Sequence, residues 1–183
     1  MPELLNQLTN LDIHANVEKQ QLVHDVQEAI LANNYNIVEL DDKRPWGAYF
    51  RFDSDEADRF VEEFFPGLDG TEARLGDDSL ELSPKILLAS PDQRLSWQYH
   101  NHRAERWSFL TPGFYYRSLT DTAGESRSAN PSEVVQFAKK ERHRLVGAVA
   151  AYTLVAEIWQ HTDRNMPSTE SDIVRVQDDY ARN

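Results

Sequence analysis

Donor side chains recur at alternate positions in Leu95-Ser96-Trp97-Gln98-Tyr99-His100-Asn101-His102-Arg103-Ala104-Glu105-Arg106-Trp107, a spacing that suits a site better than a solvated surface. In an extended strand, side chains two apart share a face, so Gln98, His100 and His102 are expected to point the same way. A turn through Arg103 and Ala104 would bring Glu105 back toward the same point. Amide oxygen, imidazole and carboxylate together suit a divalent ion such as zinc, manganese, iron or nickel. Strand histidines also occur in ordinary hydrogen-bonded cores, so a distant fourth donor is needed to favour the metal. His14 and His24 fall in a segment that reads as a surface helix, and His161 follows the last apolar strand. His143, at the polar-to-apolar switch Glu141-Arg142-His143-Arg144-Leu145-Val146, is the best distant candidate. Glu157 in Val155-Ala156-Glu157-Ile158-Trp159 is the one acid inside this apolar run. It is either a buried base beside the metal or an acid on the strand's outward face.

These residues must be positioned by a chain of 183 residues, enough for one well-buried domain with appendages. Val17, Leu22, Val26 and Ile30 recur at helical spacing over residues 12–33, and Asn33-Asn34 marks a stop. Asp53-Ser54-Asp55-Glu56 offers an N-cap and an acidic first turn to a second helix carrying Phe60, Val61, Phe64 and Phe65, which Pro66-Gly67 ends. After Gly76 the pattern changes to short β-rich runs at 85–89, 94–99, 105–110, 114–119, 133–138, 143–146 and 150–159, separated by turn residues. Such spacing predicts an antiparallel sandwich or barrel. Residues 121–130 read as a polar loop, and Ile173, Val174 and Val176 as a final short strand or arm.

Composition removes several function classes. Nineteen Lys and Arg against 31 Asp and Glu give a net charge of −12, which repels nucleic acid and anionic membranes. The absence of cysteine removes disulfides, thiolate metal sites and a cysteine nucleophile. The most apolar segment, Leu145 to Trp159, carries Thr153 and Glu157 and is shorter than the roughly 20 residues a membrane helix needs. Met1-Pro2-Glu3-Leu4-Leu5-Asn6-Gln7 lacks the basic start and apolar run of a signal peptide, so a cytoplasmic location is expected.

Three blocks, in order along the chain, resemble the cupin superfamily and within it the type II mannose-6-phosphate isomerase module. They are Lys43-Arg44-Pro45-Trp46-Gly47, the segment from Leu95 to Trp107, and Ser171-Asp172-Ile173-Val174-Arg175-Val176-Gln177-Asp178-Asp179-Tyr180. The resemblance covers about half the chain, and residues 1–42 and 53–82 have no counterpart in it. It implies an all-β fold, the double-stranded β-helix or cupin jelly-roll barrel, here with an added N-terminal helix and a short helical insertion. The expected organisation is an N-terminal helical extension over 1–42 and one cupin domain over 43–183, with the insertion at about 53–67.

The same resemblance implies one divalent metal ion, zinc foremost with manganese, iron or nickel as alternatives, held by Gln98, His100, Glu105 and His143. His102 is then left to orient substrate or move a proton, or to replace Gln98 as ligand. The implied activity is interconversion of an aldose and a ketose, as a sugar or sugar phosphate, by proton transfer through an enediol, with Glu157 and His102 as catalytic candidates. Lys43, Arg44, Arg103 and Arg175 are the cations offered to a phosphate, although each arginine sits beside acids and surface pairing is the commoner role. Trp46 is the indole offered to a sugar ring, whereas alternation favours core packing for Trp97 and Trp107. The expected partner is therefore a small sugar-like molecule, with neither nucleic acid nor membrane. Cupins often pair through their sheets, so a homodimer is compatible with the resemblance. Two other functions share the ligand set: a carbohydrate-binding or sensing cupin without turnover, and a metal-dependent dioxygenase.

Overall fold

The computed structural model describes residues 3–181. Four α-helices precede most of the strands: α1 (Glu3–Thr9), α2 (Lys19–Ala32), α3 (Ala57–Phe64) and α4 (Gly70–Ala73). The strands are β1 (Ile37–Asp41), β2 (Gly47–Phe52), β3 (Lys85–Ala89), β4 (Trp97–Tyr99), β5 (Arg103–Phe109), β6 (Gly113–Ser118), β7 (Arg127–Ala129), β8 (Val134–Phe137), β9 (Arg142–Val146), β10 (Thr153–His161) and β11 (Val174–Gln177). They form a six-stranded sheet in the order β1-β2-β3-β10-β5-β8 and a five-stranded sheet in the order β11-β4-β9-β6-β7. All pairs are antiparallel.

The central strands of the six-stranded sheet are buried on both faces, which is why β3 and β10 read as near-continuous apolar runs. Along β10, Leu154, Ala156 and Ile158 join Ile86, Leu88, Phe50 and Phe52 in a core shared with α1, α2 and α3. The opposite face sends Val155, Leu87, Trp107 and Phe109 into a second core with Tyr115 and Leu145 of the other sheet. The two sheets therefore close face to face into the double-stranded β-helix, with the helices as an outer layer.

The Pro-Trp-Gly turn has a steric cause. Gly47 has φ +152°, and a Cβ there would lie 1.7 Å from the Leu88 carbonyl oxygen, so only glycine lets β2 begin pairing with β3. Asp53 accepts a hydrogen bond from the Asp55 backbone N–H at 3.0 Å, which caps the turn leading into α3.

Several elements depart from expectation. The expected helix over 12–33 begins at Lys19, because the chain before it pairs with the approach to β10: the Tyr152 N–H donates to the Ile13 carbonyl and the Ala15 N–H to the Ala150 carbonyl. The loop at 121–130 contains β7, a three-residue strand paired with β6 that has exposed Arg127 and Ser128 and hence no apolar signature. β1, β2, α1 and α4 were not anticipated, and β1 ties residues 37–41 into the main sheet. Among the described residues, no helix is long and apolar enough to cross a membrane.

Candidate metal centre

Register decides which donors meet. On β5, Arg103, Glu105, Trp107 and Phe109 share the inner face, and Glu105 pairs with Trp159 across β10. His143 comes from β9 and His100 from the turn that joins β4 to β5. The donor atoms of His100, Glu105 and His143 all lie within 4.8 Å of one another, and all three side chains are buried. This buried His-Glu-His group could bind a metal ion.

Hydrogen bonds at the far side of each ring define what the group offers. His100 Nδ1 lies 2.5 Å from the Asp172 carbonyl oxygen, and His143 Nδ1 lies 2.9 Å from the Glu141 carbonyl oxygen. A carbonyl only accepts, so each Nδ1 donates, and in the neutral rings each Nε2 carries a lone pair. Burial, the main influence on His100, pushes its pKa below the ordinary value and favours that neutral form. Nε2 of His100 is 3.0 Å from Glu105 Oε1, and Nε2 of His143 is 3.2 Å from Glu105 Oε2. These contacts are close, yet His100 Nε2, His143 Nε2 and Glu105 Oε2 have no hydrogen-bond partner. Two lone-pair nitrogens and a carboxylate oxygen facing one point are mutually repulsive without a cation, so the residues present fit a divalent ion.

The surroundings hold this geometry. The His143 ring stacks on Phe137 at a centroid distance of 4.6 Å and meets Trp107 edge-on at 5.3 Å. Arg103 Nε donates to Glu105 Oε1 at 2.8 Å, and its guanidinium lies 3.9 Å from the Trp159 ring centroid. Burial alone would raise the Glu105 pKa, but nearby positive charge, for which the permanently charged Arg103 is the partner we assign, holds it well below the carboxylate range. The third sequence block works as a clamp on the His100 turn. The Asp172 carboxylate accepts the Asn101 and His102 N–H groups, both at 2.9 Å, and the Ser168 hydroxyl at 2.8 Å.

A cavity of about 240 Å³ adjoins the triad. Of the residues singled out in the sequence, Gln98, Arg44, Trp46, Arg103, Glu157 and Arg175 line it together with His100 and Glu105. Gln98 stands opposite His143 in the β4–β9 pair, with its Oε1 accepting the Ser96 hydroxyl at 2.5 Å. Lys43 is exposed and does not line the cavity. His102 is not among the lining residues either, because the turn at residues 100–102 interrupts the alternation expected to align it with His100. Trp97 and Trp107 are core residues, 1% exposed.

Glu157 faces inward. It accepts the Trp107 indole N–H at 3.1 Å and lies 3.6 Å from Lys85 Nζ. Burial first, then the Glu105 carboxylate, push its pKa up to about 7. Sequence reasoning overlooked Glu39, Tyr49, Lys85 and Glu170 of the same wall. Lys85 opens the apolar run Lys85-Ile86-Leu87-Leu88-Ala89, where a flanking cation usually marks the end of a strand. Its odd-numbered register with Leu87 was the available signal.

No protein-family model matches the chain, and no curated protein matches it. Solved structures do. A structure of DMSP lyases aligns over 97% of this chain and 79% of its own, at 12% identity and a TM-score of 0.50. The fold is a cupin barrel. The capsular polysaccharide assembling protein CapF of Staphylococcus aureus aligns over 75% of this chain at 12% identity and a TM-score of 0.48, and this chain spans 33% of CapF. A cupin 2 conserved barrel domain protein of Salinispora arenicola aligns over 69% of this chain and 82% of its own, at 14% identity and a TM-score of 0.44.

Proposed function

We propose that this cupin is a metal-dependent aldose–ketose isomerase acting on a sugar or sugar phosphate, with zinc as the foremost ion and His100, Glu105, His143 and Gln98 as its ligands. The observation that carries this reading is Glu157: a buried carboxylate with its pKa pushed up to about 7 lines the same cavity as His100 and Glu105 of the buried His100–Glu105–His143 group. A base poised near neutrality is matched to removing a proton from carbon and returning it.

When bound, a divalent ion would polarise the substrate carbonyl. Glu157 takes the proton from the carbon next to that carbonyl, giving an enediolate; the hydroxyl proton on that carbon passes to the former carbonyl oxygen, and the Glu157 carboxyl returns its proton to the former carbonyl carbon, leaving the ketose. The Trp107 indole N–H and the Lys85 ammonium hold Glu157 in place for both transfers. Arg103, fixed against Trp159 and bonded to Ser168 at 2.8 Å, keeps Glu105 ionised. Tight packing of His143 against Phe137 and Trp107 excludes water from the inner side of the site.

The test is to incubate metal-loaded protein with aldoses and their phosphate esters in deuterated water and follow them by NMR. Deuterium at the carbon next to the carbonyl, accompanied by the ketose, is the expected result. Metal-replete protein that exchanges no substrate proton would instead mark a binding module without turnover.

A further inference from the structure

We propose that the cavity takes an uncharged polyhydroxy carbonyl compound, a free sugar, and discriminates against its phosphate ester. This deepens the isomerase reading and rests on it. The inference comes from how the cations of the wall are already used. Arg103 is bound to Glu105, Ser168 and the Thr169 carbonyl. Lys85 Nζ donates to Ser83 Oγ at 2.6 Å and lies 3.1 Å from Glu170 and 3.6 Å from Glu157. Arg44 pairs with Asp41 at 2.7 Å. Arg175 is likewise not free.

Across the main sheet these charges form a self-compensated row. Glu39 pairs with Arg51, Arg51 with Lys85, and Lys85 with Glu157 on four successive strands. Arg51, next to the lining residues in this row, is 3.0 Å from Glu39, 3.2 Å from Glu81 and 4.0 Å from Glu170. The outer part of the cavity thus presents acids and cations already paired with one another. Glu39 and Glu170 side chains are 41% and 47% exposed, whereas the triad's are 1–2% exposed, so the acids stand toward solvent and the metal group stands within. A terminal phosphate carries roughly −1.5 to −2 charges at neutral pH and would have to compete with Asp41 for Arg44 and with Glu157 and Glu170 for Lys85. Positive charge brought by a bound ion would sit at the buried triad, where the carbonyl end is handled.

Neutral hydrogen-bonding groups are available in its place. The indole N–H of Trp46, in a side chain 5% exposed, has no partner, and Trp46 lines the cavity, as does Gln98, whose Oε1 accepts the Ser96 hydroxyl and whose amide NH2 remains to donate. Such donors and acceptors match hydroxyls, and the aromatic ring offers a face to a sugar's C–H groups.

The experiment compares D-glucose, D-mannose and D-lyxose, each against its terminal phosphate ester, by solvent deuterium exchange with the metal-loaded protein. At least one free sugar should exchange about tenfold or more faster than its ester, since like-charge contact is strongly unfavourable. Inorganic phosphate should not compete with it. Glu170→Gln leaves Lys85 with one carboxylate fewer and should narrow the ratio of free-sugar to ester rates, a readout from which any general loss of activity cancels. Esters exchanging as fast as or faster than free sugars, or competition by inorganic phosphate, would overturn this inference while leaving the isomerase standing. Exchange with neither class would remove the isomerase reading, and this inference with it.

Discussion

The two ends of the barrel interior are built from the same strands, one pleat apart, and have opposite chemistry. On β10, Val155 belongs to the apolar end and Glu157, Trp159 and His161 to the polar one; on β5, Phe109 and Trp107 give way to Glu105 and Arg103; on β3, Ala89 and Leu87 give way to Lys85. The apolar end is held by burial alone, with Phe109, Phe137 and Leu145 fully enclosed. The polar end keeps charges out of water by pairing them, as in Arg103 with Glu105 and Lys85 with Glu157 and Glu170. Pairing fails for the lone-pair atoms of the triad, and that failure marks the site.

The comparison can be broken most sharply at Glu157. Glu157→Gln keeps the shape and the Trp107 contact but removes the base, so isomerisation should fall by about 100- to 10,000-fold in a steady-state assay while metal content is unchanged. Phe109→Ala strikes the other end. It should cost about 3–5 kcal/mol in a denaturant titration, through lost burial and a cavity, with metal stoichiometry retained in the fraction that folds. If Phe109→Ala abolished metal binding in folded protein, the two ends would not be separable in the way described here.

Acidity offers a finer test. The fold raises the Glu157 pKa from 4.5 to about 7, so it favours the protonated carboxyl. That contribution to stability is complete below about pH 4.5 and is lost as the pH rises through about 7. In metal-free protein the thermal midpoint of wild type should therefore decline more steeply across this window than that of Glu157→Gln; parallel curves would show that Glu157 is not the group responsible.

What could be seen in the sequence follows the same division. The strands around the polar end were legible because Gln98, His100 and Glu105 have an unusual spacing, and because His143, left as the best distant histidine, matched the ligand that the resemblance implies. Glu157 was visible as an acid within an apolar run, but its direction was not, since alternation allows either face; pairing with Lys85 and Trp107 sets it inward. His102 shows the limit of alternation, which holds within a strand and stops at the turn before Arg103. β7 carries only Ala129 as a buried residue, so nothing in its composition separates it from a loop. The paired-cation wall was the least legible part, because Arg51, Lys85 and Glu170 are far apart in the chain and acquire their meaning from register.

Metal binding by the triad tests the account most directly. Elemental analysis of metal-loaded protein, with isothermal titration of zinc, should give one ion per chain for wild type and loss of tight binding for His100→Ala and His143→Ala, each checked for a retained fold by circular dichroism. Folded His143→Ala that still holds one ion per chain, or a wild type that binds none, would contradict the assignment of His100, Glu105 and His143 as a metal centre.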